Sequence, residues 1–178
     1  MKLETERLLL RRFTTEDVKE AYNYLGDPDT MRYIEAPYSE EQTKEFIRNY
    51  AACDAAAVYA LVEKKSGHLI GHMIFHPYGC EQIYELGFII HREYQKQGYG
   101  FEMSHALLQY GFQKMKLHKI TAETVEPNEA SRHLLQKLGM KQEAVFREQV
   151  FYRGEWMDEY YYGILAKDYY ADNSVSVE

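Results

Sequence analysis

The sequence predicts a mixed α/β (α+β) domain built on one mostly antiparallel sheet. Three observations predict it. Strand signals follow closely over 57–63, 69–77 and 83–90, separated by Ser66-Gly67-His68 and Tyr78-Gly79, which reads as an antiparallel meander. A long amphipathic stretch, 98–116, joins the strand at 83–90 to an alternating β-branched stretch at 119–125, and a right-handed crossover sets those two strands parallel. Two further strand signals, 141–152 and 155–165, flank Arg153-Gly154 as a closing hairpin.

Each element has a local reason. Arg7–Phe13 is a strand with Leu8 and Leu10 apolar. Thr14 is the expected N-cap of the first helix, with Asp17 at the capping-box position. That helix runs to Leu25 with Val18, Ala21, Tyr22 and Leu25 inward, and Gly26-Asp27-Pro28 ends it. Residues 31–38 form a loop carrying Met31, Tyr33, Ile34 and Tyr38, which either walls an acceptor pocket or covers the core. Ser39 and Gln42 make a second capping box, opening a helix with Phe46, Ile47 and Tyr50 on its apolar side. After the strand at 119–125, Pro127 keeps Glu126 out of helical geometry and Asn128 caps a helix to Leu138, with Gly139 as its C′ residue. Ser131 shares the face of Leu134, Leu135 and Leu138, a small hydroxyl at the start of an apolar stripe. The sum is a seven-stranded sheet flanked by four helices, one domain over 1–168, and a tail at 169–178 that reads as frayed from Ala171 onward.

Composition narrows the function. The chain has 178 residues, 46% hydrophobic and 28% charged, which suits one domain with a sizeable core. Net charge is −7, which argues against a general nucleic-acid binder and favours a cationic or amine partner. Seventeen tyrosines suit pocket walls, since each joins apolar area to a hydroxyl. Cys53 and Cys80 lie far apart without a CxxC, which reads as reduced thiols in a cytoplasmic protein. Scattered His and Cys give no metal-ligand spacing; His72 and His76 alternate on one strand and read as surface or core-rim residues. The start lacks an apolar signal core, and no apolar run approaches the ~20 residues of a membrane span.

The chemistry concentrates in YELGFIIHREYQKQGYG, residues 84–100. A buried strand ends in Gln95-Lys96-Gln97-Gly98-Tyr99-Gly100, and a helix follows. The first N–H groups of a helix have no acceptor within it, and the helix dipole favours an anion there. Gly98 and Gly100 let the backbone approach a phosphate, while Lys96 and Arg92 add positive charge. The loop lacks the Lys-Ser/Thr of a Walker A motif and the third glycine of the dinucleotide fingerprint. By itself it fits a plain turn or a nucleotide-phosphate binder as well.

Gln95-x-x-Gly98-x-Gly100 after a buried strand resembles the pyrophosphate loop of the GNAT acyl-CoA N-acyltransferases. The element order over about 165 residues is similar to that fold. The opening ETERLLLRRFTTED, the YELGFII strand, Asn128-x-x-Ser131 followed by Leu138-Gly139-Met140, and FYRGEWMDEYYYGIL resemble the RimJ/RimL-type (ribosomal-protein N-acetyltransferase-like) branch. The resemblance implies that the parallel strands at 83–90 and 119–125 splay apart, and that acetyl-CoA is the donor, with CoA as product and no metal. It implies that Phe88 and Ile90 meet the pantetheine arm, and that Gln95, Lys96, Gln97, Gly98, Tyr99 and Gly100 hold the diphosphate. Gln95 departs from the commoner Arg at the first loop position, removing one charge. Asn128 would bond the pantetheine or the strand gap, and Ser131 would donate to the leaving thiolate.

Transfer to an amine needs a base, because an ammonium has no lone pair. Glu85 matches the Glu of the family's "EIG" pattern and leads; Glu123 on the facing strand is the second candidate. The expected activity is direct transfer of acetyl to a primary amine, first a protein or peptide N-terminal amine. The alternatives are a small amine (polyamine, amino acid or antibiotic) and a non-catalytic acyl-CoA-binding module. No nucleic-acid or membrane partner is expected. The branch also allows a homodimer, whose interface the sequence does not locate.

Overall fold

The computed structural model describes residues 1–51 and 57–174. Cys53 and the side chain of Tyr50 lie outside the described residues. The chain forms β1 (Leu3–Glu4), β2 (Leu8–Arg11), α1 (Val18–Leu25), α2 (Glu40–Phe46), β3 (Val58–Glu63), β4 (Leu69–Tyr78), β5 (Cys80–Ile90), α3 (Tyr99–Gln109), β6 (Lys119–Val125), α4 (Glu129–Lys137), β7 (Lys141–Tyr152), β8 (Glu155–Leu165) and α5 (Ala166–Ser174). The strands hydrogen-bond in the order β1-β2-β3-β4-β5-β6-β8-β7, a mixed sheet of eight. The fold class agrees with the sequence. The counts change by one strand and one helix, because β1 is only two residues long and α5 continues where a tail is expected.

Two compact units emerge: Met1–His76 with Gly87–Ala106, and Pro77–Leu86 with Leu107–Glu178. The first unit carries α1, α2 and the head of α3. Its capping boxes form as the sequence predicts, at Thr14 with Asp17 and at Ser39 with Gln42. Thr14 opens a 3-10 turn over Thr15–Asp17 rather than α1 directly, and α2 passes into a π-helical turn over Ile47–Ala51. The inward face of α1 is Ala21, Tyr24 and Leu25, whereas Tyr22 is 39% exposed, so Tyr24 takes the place expected for Tyr22. These side chains pack with Phe13, Met31, Ile47, Val58, Ala60, Val62 and Ile89.

His72 also lies in this core, 2% exposed, and not at its rim. Its Nδ1 is 2.9 Å from the Tyr24 hydroxyl, and the rings of Phe13, Tyr24 and Phe46 surround it. Five successive residues of β4, Leu69–Met73, are buried, so this stretch has no solvent face for a histidine to occupy. Burial drives the His72 pKa down to about 3. Gly71 is required where β4 meets β5: a Cβ there would lie 2.1 Å from the Ile89 carbonyl oxygen.

In the second unit β5 pairs with β6 in parallel through Ile83–Lys119, Tyr84–Ile120 and Glu85–Thr121. β6 runs antiparallel to β8, and β8 to β7, with irregularities in β7 at Gln142/Ala144 and Phe146/Val150. The core is Leu107, Leu108, Phe112, Ile120, Ala122, Leu135, Leu138, Met140, Tyr162 and Ile164. The boundary expected at 168 falls inside α5. Tyr169 is buried with its ring 4.8 Å from Phe112, and the Tyr170 hydroxyl donates to the Phe112 carbonyl at 2.9 Å. At the far end of the β7–β8 hairpin, the rings of Phe151 and Trp156 lie tilted against each other, centroids 5.0 Å apart, and remain 58% and 60% exposed.

Candidate functional site

The glycine loop forms between β5 and α3. A 3-10 turn at Arg92–Tyr94 leads into it, Lys96 (φ 59°) and Gly98 (φ 83°) take left-handed backbone, and α3 starts at Tyr99. Gly98 is the position where such a conformation suits the residue without strain. The Gly98 carbonyl accepts the Glu102 N–H at 2.9 Å, which sets the first turn of α3. Most side chains of the loop bond within the protein. Gln95 folds back to donate to the Ile90 carbonyl at 2.9 Å, and Gln97 donates to the Glu93 carbonyl at 3.0 Å. The Tyr99 ring is buried, with its hydroxyl donating to Glu63 at 2.6 Å, so Tyr99 offers an anion only its backbone. Arg92 is held by Asp29 at 2.8 Å and Asp27 at 3.5 Å, so its charge is matched by neighbouring acids. Lys96 is exposed.

The main-chain groups of Phe88 and Ile90 lie on the edge of β5 away from β4. The His91 N–H donates to the Ile70 carbonyl of β4 at 2.8 Å, and the Ile89 carbonyl also points toward β4 at Gly71. Main-chain groups alternate along a strand. Phe88 and Ile90 therefore present theirs on the opposite edge, where Gln95 already occupies the Ile90 carbonyl. That leaves the Phe88 N–H and C=O and the Ile90 N–H as the groups a ligand amide would meet.

In the second unit a polar cluster gathers on one face. Glu85 pairs with Thr121, Glu123 with Tyr161, and Val125 with Glu159, so these residues share a side of the sheet. Tyr78, Tyr161 and Glu123 are mutual hydrogen-bond partners, with the two phenol hydrogens shared over the cluster. The hydrogen bond to Glu123 raises the Tyr78 pKa first of all. Burial, then the bonds to Tyr78 and Glu123, push Tyr161 well above the ordinary phenol range. Glu159 is raised by burial and by the charge of Glu123. Glu85 acts on Tyr78 through its charge. The Phe146 ring lies 4.8 Å from Tyr161 and is 46% exposed.

On α4, Asn128 caps the helix by accepting the Ser131 N–H at 3.2 Å, so its side-chain NH2 is the donor a ligand would meet. Ser131 is half-buried. Among the described residues no group of three or more His, Cys, Asp or Glu is arranged to hold a metal ion. Cys80 is a free, exposed thiol at the start of β5.

Sequence reasoning misses Arg7, Glu102, Tyr78, Tyr161 and Glu159. Arg7 and Glu102 meet only through the tertiary fold, at 2.6 Å. Arg7 does lie in the opening ETERLLLRR, one of the motifs quoted for the resemblance, and that is its one sequence signal. Tyr161 faces Glu123 by strand register, which a local pattern cannot encode across 38 residues.

Comparison with known proteins bears on this arrangement. A family model described as an acetyltransferase (GNAT) domain matches residues 7–141. The chain is 37% identical over 170 residues to the uncharacterized N-acetyltransferase YnaD of Bacillus subtilis (strain 168), covering 95% of this chain and 99% of that one. It is 28% identical over 155 residues to the spermidine N(1)-acetyltransferase of Vibrio cholerae, covering 85% and 89%. Among solved structures, an acetyltransferase (GNAT family) from Bacillus anthracis superposes with a TM-score of 0.87 at 36% identity, covering 94% and 99%. The Vibrio cholerae spermidine N-acetyltransferase in complex with CoA and spermine superposes at 0.80 with 24% identity, covering 93% and 99%, a likeness of fold.

Proposed function

This chain belongs to the GNAT acetyltransferase family, and on that footing we propose that it moves the acetyl group of acetyl-CoA directly to a primary amine, by these residues. The observation that carries the reading is the loop Gln95–Gly100, with left-handed Gly98 at the head of α3, directly after the β5 edge that presents Phe88 and Ile90. The N–H groups of Gln97 to Gly100 take the diphosphate, with Lys96 supplying charge. The Phe88 C=O and the Ile90 N–H take the amides of the pantetheine arm, which leaves the Phe88 N–H for the reacting carbonyl. Gln95 acts at one remove, by fixing the end of β5.

Chemistry follows from what the reaction needs. The attacking amine must be neutral, and Glu85 is the proposed base. Glu123, bound by two phenols, holds the incoming ammonium before its proton leaves. As the amine attacks the thioester carbonyl, the oxyanion is held by the backbone N–H of Phe88. Collapse breaks the C–S bond, with the Ser131 hydroxyl donating to the departing thiolate and the Asn128 amide NH2 bonding the pantetheine. No covalent enzyme intermediate is proposed, since Cys80 is exposed at the far end of β5 from the loop.

For the acceptor, the carboxylates Glu85, Glu123 and Glu159 on one face support a small amine with more than one positive charge. The spermidine-acetylating relative supports the same class. The other acceptor, a protein or peptide N-terminal amine, is favoured by exposed Phe146 beside Tyr161, an apolar lip for a neighbouring side chain. Release of CoA thiol from acetyl-CoA, followed with polyamines, amino acids and N-terminal peptides, tests both. Faster release with polyamines is expected. A higher rate with peptides reverses the order, and thermal stabilisation by acetyl-CoA without release on any amine replaces the enzyme by a binding module. Stabilisation by ATP but not acetyl-CoA ends the reading.

A further inference from the structure

Arg7 stands at the glycine loop without belonging to it. Its Nε donates to Glu102 Oε2 at 2.6 Å, and its backbone N–H donates to Glu102 Oε1 at 3.0 Å. The Thr5 hydroxyl donates to the same Oε1 at 2.6 Å. Its Nη1 donates to the Gln97 carbonyl at 3.0 Å, and a Cβ placed on Gly98 would lie 3.4 Å from its Nη2. The guanidinium sits over the Tyr99 ring, 4.5 Å from the centroid, and Tyr99 is anchored in turn to Glu63. One side chain thus grips the residue before Gly98, the residue after it and the first turn of α3.

The geometry has a consequence for anion binding. A carbonyl oxygen turned toward a diphosphate repels it, whereas an N–H attracts it. Among the described residues every peptide bond is trans, so the Gln97 carbonyl and the Gly98 N–H point opposite ways across one plane. By holding that carbonyl, Arg7 leaves the Gly98 N–H pointing away from itself. Glu102 is an acid in the first turn of the same helix, where its charge would compete with a bound anion. Burial raises its pKa, but bonds from Thr5 and Arg7 outweigh this and keep it below the ordinary range. Arg7 neutralises that charge locally. Its side chain is 43% exposed, so part of it also reaches solvent.

We infer that Arg7, braced by Glu102 and Tyr99, is a positioning residue for the donor's diphosphate: it sets the polarity of the Gln97–Gly98 peptide and cancels the charge of Glu102. The inference rests on the acetyl-CoA reading above.

The test compares two thioesters, acetyl-CoA and S-acetylpantetheine, which lacks the diphosphate and nucleotide. Wild type prefers acetyl-CoA. Arg7→Ala and Arg7→Lys lower that preference about tenfold or more, the loss expected for a charge-assisted contact, through the KM for acetyl-CoA with kcat retained. Lysine keeps the charge but lacks the fork that holds Glu102 and Gln97 together, so it does not restore the preference. If Arg7→Ala does not fold, Arg7→Lys decides alone. An unchanged preference, or an equal loss with both thioesters, overturns the inference while leaving the enzyme reading intact. A wild type that uses neither thioester overturns both.

Discussion

Glu123 and Tyr161 stand directly opposite each other on antiparallel β6 and β8, with the phenol hydrogen-bonded to the carboxylate. If this pair receives the ammonium, Glu123→Gln raises the KM for the amine about tenfold or more, the loss of one charge-assisted hydrogen bond. Glu85→Gln instead lowers kcat, by about 100-fold or more, because it removes proton transfer. Steady-state kinetics with a polyamine separate the two effects. Equal kcat values for Glu85→Gln and wild type across the pH range remove Glu85 from the chemistry.

Gly98→Val forces a β-branched residue to φ 83° and places its Cβ 3.4 Å from Arg7. The strain is on the order of 1–3 kcal/mol and falls on the loop proposed to hold the donor. Thermal stabilisation by acetyl-CoA should shrink accordingly, since it depends on the dissociation constant. An unaltered shift takes the loop out of donor binding.

Gly71→Ala is a test of the fold rather than of the chemistry. Its Cβ would meet the Ile89 carbonyl oxygen at 2.1 Å, and backbone cannot yield as a side-chain end can. A loss of several kcal/mol, large among single substitutions, is expected in urea denaturation. Full stability would mean that β4 and β5 have another way to accommodate the methyl.

The neutral imidazole of His72 makes stability depend on pH. Its folded pKa, about 3, lies below the ordinary 6.5, so the unfolded chain binds the extra proton between those values. The contribution is fully present above 6.5 and is lost on acidification toward 3, at up to ~1.4 kcal/mol per pH unit. His72→Gln keeps a hydrogen-bonding group toward Tyr24 and removes the titration. Its denaturation midpoint should vary less over that range than that of wild type, and parallel curves would assign the acid sensitivity elsewhere.

What was legible depended on how local the cause was. Ser39 with Gln42, Asn128 as a cap, and Gly139 as a left-handed C′ residue are decided within a few residues, and each appears where the pattern puts it. Leu8 and Leu10, both fully buried, follow from period-2 alternation. Alternation reports a strand's faces but not whether both are covered, so it does not put His72 in the core. The polar C-terminal stretch gives no sign that Tyr169 meets Phe112, 57 residues earlier. In the candidate site, the glycine loop is a contiguous motif, while Arg7 reaches it from 90 residues away in the chain.

The chain has one tryptophan, Trp156, set at the open end of the β7–β8 hairpin against Phe151. Its indole is therefore a built-in optical probe of water at that single spot. Emission from the isolated chain should be red-shifted and readily quenched by acrylamide. A blue shift as protein concentration rises would mark that tip as the surface where two copies meet, with no label attached.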